Sequence, residues 1–429
     1  MTVNRIEHPA MQNASVDSKP PAVSRPACLL VINAGSSSIK FSILSGTNAA
    51  TLACIVDGAI DGIGTAPYFH AAGRDGKHLA EHRWAADVSH EELLGYLMAW
   101  IEAHLGDNHL TAAGHRVTHG GLSNQAPRLV TPIVLADLQA LTPLAPMHQT
   151  HNLAPIVALA ARHPGLPQVA CFDTAFHATN PRISRLYGLP AAMADAGILR
   201  FGFHGLSYEY IAGELMQCEP RARHGRAIVA HLGSGASMCA LVGGRSVASS
   251  MGFSALDGLP MGSRCGALDP GVLLYLLQEK GMQVDELVTL LYQQSGLLGV
   301  SGISNDARDL LQSNTPQARE AIDLFVYRAA REIGSLAAAA GGLDTLVFTA
   351  GIGEHAAQIR ARICAQVAWL GVVLAPQANE MHGPRISCVD SPVSVWVIPT
   401  NEALMVARHT FALTIRSGDT GQVDGVLLR

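Results

Sequence analysis

The residues best equipped for chemistry sit in turns built from glycine and serine. Residues 29–44 read Leu-Leu-Val-Ile-Asn-Ala-Gly-Ser-Ser-Ser-Ile-Lys-Phe-Ser-Ile-Leu. A continuous apolar run predicts a buried strand, and alternation of Ile39, Phe41 and Ile43 predicts a second strand after the turn. Tiny residues leave backbone N–H groups uncovered, so the turn is a concave anion site suited to phosphate. Asn33 offers a neutral amide oxygen to a hydrated Mg²⁺ or a phosphate, and Lys40 adds a positive charge. An ordinary Ser/Gly hairpin has the same composition, so this turn alone leaves both readings open.

A second copy lies in the other half of the chain. Residues 227–242 repeat strand, turn and strand around His231, Leu232, Gly233, Ser234 and Gly235. Two phosphate-type hairpins imply a duplicated fold with a nucleotide between the halves. Residues 345–355 add a buried strand running into a Gly351-Ile352-Gly353 turn before a helix, with Glu354 and His355 following. The chain has no GxxxxGK[ST] motif.

Other candidates sit singly. Arg116 and Arg264 each lie among glycines, where a guanidinium can reach carboxylate or phosphoryl oxygens with a matched fork. A surface arginine is the alternative for each. Asp173 follows the apolar strand 169–172, the usual place for functional groups in α/β enzymes. His204 is flanked by Phe203 and glycines. Glu402 opens the last helix, where the helix dipole alone would also favour it. The pairs His115/His119 and His148/His151 have metal-like spacing but lack the Glu of HExxH, and they do not argue for zinc.

These groups need a framework. The 429 residues suffice for two domains with developed cores, and 48% of them are hydrophobic. A net charge of −5 points to neither nucleic acid nor an anionic membrane. No window is apolar for long enough to span a bilayer. Eight cysteines form no CxxC pair. Cys28, Cys54, Cys171, Cys239 and Cys364 lie in apolar runs, which suits buried thiols in a reducing cytoplasm. Cys265, beside an arginine, leaves a reactive thiol open. Residues 1–26 lack a signal-peptide core and read as a flexible tail; the Asn13-Ala14-Ser15 sequon has no meaning in a cytosolic chain. Helices are expected near 91–104, 152–162, 270–278, 284–292, 315–340 and from 401, with strands at 168–172, 346–349 and 393–398. A mixed β-then-α order occurring twice argues an α/β protein of two related domains.

Taken together, the segments closely resemble the acetate kinase family, which includes propionate kinase. The resemblance runs from about Cys28 to about His409. It rests on 31–40, 115–121, 172–177, 187–205, 231–237, 250–266, 304–308, 350–354 and 400–402, in that order. It implies a duplicated actin-like (ribonuclease H-like) fold with the active site in the cleft. The implied domains are 27–176, completed by a helix at 403–415, and 177–402, followed by a polar tail at 416–429. It implies a homodimer joined through the C-terminal domain, and phosphoryl transfer from ATP to acetate or propionate with Mg²⁺, or Mn²⁺ in its place. By resemblance, Arg116 binds the carboxylate, Arg264 stabilises the moving phosphoryl, His204 donates a hydrogen bond to it, and Asp173 holds an arginine or the metal's water. Asn33 and Glu402 lie on the metal side. Lys40 and 231–235 contact phosphate. Asp306, Ala307, Arg308 and 351–355 form the adenosine pocket. Thr118, Met147, Phe203 and Ala255 line the acyl site.

Several positions depart from the family. Ser234 replaces an Asn, His355 replaces an Asn, and Ala248 replaces an Asp; these bear on nucleotide affinity. Thr118, Met147 and Ala255 replace Val, Leu and Pro, and the lost proline ring leaves room for one more methylene. A nucleotide-driven switch of the same fold is disfavoured by arginines converging on a small-acid pocket. A sugar kinase is disfavoured by the few acids and by the Phe203/Met147 pocket.

Overall fold

A computed structural model describes residues 26–85, 88–105 and 109–415. Residues 1–25 and 416–429 lie outside the described residues, and with them the sequon and nearly all of both expected tails.

Two sheets repeat one plan. The first contains β1 (Ala27–Ala34), β2 (Ser38–Gly46), β3 (Ala53–Asp61), β4 (Tyr68–Gly73), β5 (His78–Arg83), β6 (Ala112–Val117), β7 (Arg128–Leu129) and β8 (Gln168–Phe172), in the order β5-β4-β3-β2-β1-β6-β8-β7. The second contains β9 (Arg226–Leu232), β10 (Ala236–Val242), β11 (Arg245–Ser249), β12 (Thr345–Thr349) and β13 (Ser394–Val397), in the order β11-β10-β9-β12-β13. Each contains three antiparallel strands followed by two parallel ones, and the first sheet adds β4 and β5 at one edge and β7 at the other. The segments β3-β2-β1-β6-β8 and β11-β10-β9-β12-β13 are therefore equivalent.

Both first strands are apolar on both faces because helices cover both faces. Five further helices matter here: α1 (Pro146–Arg162), α2 (Gly205–Cys218), α3 (Pro316–Ala340), α4 (Ala350–His355) and α5 (Glu402–Thr414). In β1, Leu30 and Ile32 join the core of the helix His90–His104, while Leu29 and Val31 join Val406 and Phe411 of α5. In β9, Ile228 and Ala230 join Phe325 and Ile333 of α3, while Ala227 and Val229 join Tyr208 and Ile211 of α2. The two-residue strand period sends alternate residues to different cores. Gly114 permits the close seating of α5, since a Cβ there would meet Thr410 Oγ1 at 2.3 Å and Val406 Cγ1 at 2.6 Å. Pro316 begins α3 after its cap Thr315, and Gly341 ends it at φ 73.

The structure corrects several local expectations. The helix foreseen at 152–162 begins at Pro146. The meander β3–β5 and helix α2 were not legible: Gly58, Gly205 and Gly213 interrupt their patterns, and β5 is almost wholly exposed. Arg116 belongs to strand β6 rather than to a turn. The Gly351-Ile352-Gly353 segment lies inside α4, and the sharp bend falls one residue earlier at Ala350, with φ 64. Cys54 is only half-buried.

Candidate active site in the cleft

A cavity of about 1160 Å³ opens between the two sheets. Both hairpin tips reach it. Asn33 pairs with Lys40 across the β1–β2 ladder, and the Gly35 N–H donates to Ser38 O at 2.8 Å. At the second tip the Gly233 N–H donates to Gly235 O at 3.1 Å. Asn33, Lys40, Gly233, Ser234 and Gly235 all line the cavity.

The N-terminal wall is built around Arg116, near the C-terminal end of β6. Its Nε and Nη2 donate to Asp173 at 3.0 and 2.6 Å, and Nη1 donates to Asn33 Oδ1 at 3.2 Å. Glu402, first in α5, lies 3.5 Å from its Nε. Burial opposes the guanidinium charge, but Asp173 and Glu402 hold Arg116 above its ordinary pKa. Burial pushes the Asp173 carboxyl upward, Arg116 pulls it back, and neighbouring Glu402 adds to the rise. The bidentate geometry keeps the pair ionised.

The C-terminal wall carries the second arginine. Arg264 donates from Nη1 to Ala255 O at 2.8 Å. Among the described residues no carboxylate lies within ion-pair distance of it. Burial, together with repulsion from Arg116, lowers its pKa. A Cβ on Gly235 would lie 2.9 Å from Arg264 Nη2 and 3.4 Å from His204 Nε2, so the second tip, Arg264 and His204 converge. His204 precedes α2 in the left-handed region, with φ 57. Its ring stacks on His231 at 4.3 Å. Burial drives the His204 pKa well below 6.5 and that of His231 to about 4; each is further lowered by nearby cationic groups.

Thr118, Phe203 and Ala255 line the cavity beside the arginines. Met147 is half-buried and does not line it; its neighbour His148, in the first turn of α1, does. His148 is held at about 4 by burial and by Arg264 and Arg116. Asp306, Ala307, Arg308, Gly351, Ile352 and His355 line the far end. A Cβ on Gly351 would meet nothing within 4 Å, so the cavity is open there. Glu354 also lines it, but its Oε1 accepts the Ala350 and Thr400 N–H groups at 2.8 and 3.2 Å, which fixes the start of α4. Leu232 and Gly353 are buried behind the lining.

The lining also includes polar residues outside the expected site, among them His148, Asn305, Thr400 and Asn401. In the sequence, His148 stands out only as half of the His148/His151 pair. Its adjacency to Met147 at a proline-started helix was the available signal. The other histidines of those pairs have separate partners: His115 meets Gln168, His119 accepts from the Gly121 N–H, and His151 stacks on His90. Cys265 is half-buried, and burial raises its thiol pKa, opposing reactivity. Ala248 is buried in the C-terminal core and does not line the cavity, so that departure falls on packing.

The repeated sheet, the paired Gly/Ser tips and the arginine-lined cleft define a phosphotransferase on a duplicated actin-like fold. The chain belongs to the acetokinase family, whose model matches residues 28–408. It is 55% identical over 389 residues to an acetate kinase of Rhodopseudomonas palustris, covering 90% of this chain and 98% of that protein. It is 50% identical to an acetate kinase of Nitrobacter hamburgensis, covering 90% and 96%. Among solved structures, it resembles a propionate kinase from Francisella tularensis at 34% identity and a TM-score of 0.83, covering 90% and 100%. A Porphyromonas gingivalis acetate kinase gives 32% identity and a TM-score of 0.80, covering 90% and 99%.

Proposed function

We propose that this chain is an acetate kinase, transferring the γ-phosphoryl of ATP reversibly to acetate to give acetyl phosphate and ADP. The observation that carries the reading is the pairing of two unlike arginines at one cavity. Arg116 is held by Asp173, and Arg264 has no acid partner among the described residues.

The physical difficulty is bringing an anionic carboxylate up to an anionic phosphoryl group. Positioning and fixed positive charge must meet it. The Asp173 bridge locks the Arg116 fork, and its two remaining N–H groups bind the acid's carboxylate. Thr118, Phe203 and Ala255 surround the methyl group. Arg264 stabilises charge on the phosphoryl in flight, and His204 donates to the same group. Asp173 is no general base, because a carboxylate nucleophile has no proton to lose. Lys40 and residues 233–235 bind the phosphates, while 306–308 and 351–355 enclose the adenosine.

Asn33, Asp173 and Glu402 present hard oxygen donors, and two carboxylates face one guanidinium. No cluster of three His, Cys, Asp or Glu ligands occurs among the described residues. Mg²⁺ suits such a wall, since it binds through one or two carboxylates plus waters and phosphates; Mn²⁺ can substitute. Asn33 and Glu402 would hold it beside the nucleotide, where it would offset phosphate charge.

The domains in this reading are 27–176 with 403–415, and 177–402. The helices Pro270–Gln278 and Val284–Gln293 leave Leu274, Tyr275 and Val284 more than half exposed, which supports a homodimer through the C-terminal domain. No described helix is long and apolar enough to cross a membrane. Eight free cysteines support a cytoplasmic setting.

A coupled assay of acyl phosphate formation with acetate, propionate and butyrate tests the reading. Acetate should support turnover with ATP and Mg²⁺. A folded, ATP-binding protein that phosphorylates none of the three acids sinks it. The open wall at Ala255 favours propionate as a second substrate.

A further inference from the structure

The cleft holds His204 through groups that the phosphoryl-transfer reading does not itself require. Its Nδ1 lies 2.8 Å from Ser237 Oγ, and Ser237 Oγ is in turn hydrogen-bonded to the Tyr208 hydroxyl. Ser237 is the second residue of β10, paired with His231 across the hairpin. Tyr208 lies in the first turn of α2, and its backbone N–H donates to His204 O at 3.1 Å. One string of three side chains thus ties the start of a helix to the second Gly/Ser hairpin. All three are largely or wholly buried, and Ser237 and Tyr208 have no exposed surface.

We propose that Ser237 and Tyr208 are positioning residues that fix His204 as the neutral Nε2–H tautomer, with its proton presented to the cavity. The assignment follows from counting donors. The Tyr208 hydroxyl has Ser237 as its hydrogen-bond partner and sits in an apolar core with Ile211, Leu215 and Val229. If Ser237 donated to Tyr208, the phenolic proton would be buried without an acceptor, an arrangement native interiors avoid. Tyr208 therefore donates to Ser237, and the buried Ser237 hydroxyl, whose other side-chain partner is His204 Nδ1, must donate there, since otherwise its own proton would lack an acceptor. An imidazole that accepts at Nδ1 carries its proton at Nε2. That nitrogen faces the Gly235 turn and Arg264. The titratable and charged groups around the ring are His231, stacked upon it, the cations Arg116 and Arg264, and His177; all of them oppose a second proton. His204 acts as a fixed dipole rather than as an acid.

The inference rests on the kinase reading for its catalytic meaning, but its geometric half stands apart. The test is ¹⁵N-histidine NMR on the full-length protein, with the His204 signal assigned through His204→Gln, alongside steady-state kinetics. Wild type should show a protonated Nε2 and an unprotonated Nδ1 from neutral pH to below pH 6. In Ser237→Ala the tautomers should mix, and kcat should fall about tenfold or more, while KM for ATP stays within about threefold, as for loss of an aligned donor to the transition state. Tyr208→Phe should weaken the preference and lower kcat less, while keeping the packing. An Nδ1–H tautomer or an imidazolium in wild type overturns the proposal, as does Tyr208→Phe and Ser237→Ala protein with unchanged tautomer and kcat. A wild type with the stated tautomer but no acyl phosphate formation leaves the relay intact and sinks the kinase reading instead.

Discussion

The two walls of the cleft present the same hairpin under opposite electrostatic conditions. On the N-terminal wall, Arg116 meets two carboxylates and an amide, and its charge is matched before any ligand arrives. On the C-terminal wall, Arg264 meets a single carbonyl and faces another arginine through space. A matched cation fixes geometry; an unmatched one is held ready for charge that develops later, without reorganisation at that moment. The turns differ in the same sense. A Cβ on Gly35 would come no nearer than 3.6 Å to Ser38 O, whereas one on Gly235 would strike Arg264. Under the proposed function, the duplicated fold holds a positioning half and a reacting half.

The largest expected effect breaks that contrast directly. Arg264→Ala should lower kcat by roughly 10³-fold or more, as for other arginines acting on a moving phosphoryl. Its thermal midpoint should hardly move, because only one hydrogen bond is lost. Arg116→Ala should behave differently. It raises KM for the acid and also strands the buried Asp173, a change that costs about 3–5 kcal/mol when a buried pair loses one partner. Denaturation and kinetics on both variants decide it: equal loss of stability would erase the distinction between the two walls.

The glycine pair sharpens it next. Gly235→Ala should lose about 10²-fold in kcat by displacing Arg264, the scale expected for a misplacement near 1 Å. Gly35→Ala should keep activity within about threefold, because its Cβ makes ordinary contact only. A Gly235→Ala enzyme with full turnover would show that the second tip is not seated against Arg264.

Acyl-chain choice is a smaller effect. Ala255 lines the site and also holds Arg264 through its carbonyl. A buried methylene is worth roughly 1–3 kcal/mol of discrimination in a tight pocket. The smaller side chain should relax this, so that propionate reaches kcat/KM within about tenfold of acetate, or roughly 1.4 kcal/mol. Butyrate should be poor, since Phe203 and His148 close the space. Ala255→Pro should restore the preference for acetate. A propionate penalty of about a hundredfold in wild type would mean a refilled pocket.

A test without any substitution spans both walls. Burial holds His115, His119, His148, His177 and His231 at about 4, and His204 well below 6.5. The unfolded chain protonates near 6.5 and the native state does not, so stability is present above about pH 6.5 and is lost as pH falls toward 4. Each histidine contributes a slope of up to about 1.4 kcal/mol per pH unit in that window. Urea unfolding at pH 7.5 and pH 5 measures this, and equal stability at both would count against neutral, buried imidazoles.

Local pattern carried much of the fold. The alternation of Ile39, Phe41 and Ile43 specified β2, and all three are buried. The helix expected at 315–340 runs Pro316–Ala340, and Thr315 and Gly341 at its ends show why the bounds were legible, because caps are local chemistry. Both hairpin turns, and the residue types that can receive phosphate, were likewise legible, since the absence of side chains is itself a sequence property. What the sequence left open was who meets whom. Arg116 could be any arginine beside glycines until β6 and β8 aligned in parallel and brought it to Asp173, 57 residues away. The partners of His204, flanked in sequence by Phe203 and glycines, were not visible until α2, which no periodicity announced, placed Tyr208 against Ser237. His148 and Thr400 entered the cavity, and Met147 stayed behind its surface, through the packing of elements far apart in the chain. Periodicity fixes how a segment folds on itself. Side-chain pairing across two sheets depends on register and on loop lengths summed over the whole chain, and only the tertiary structure sets those.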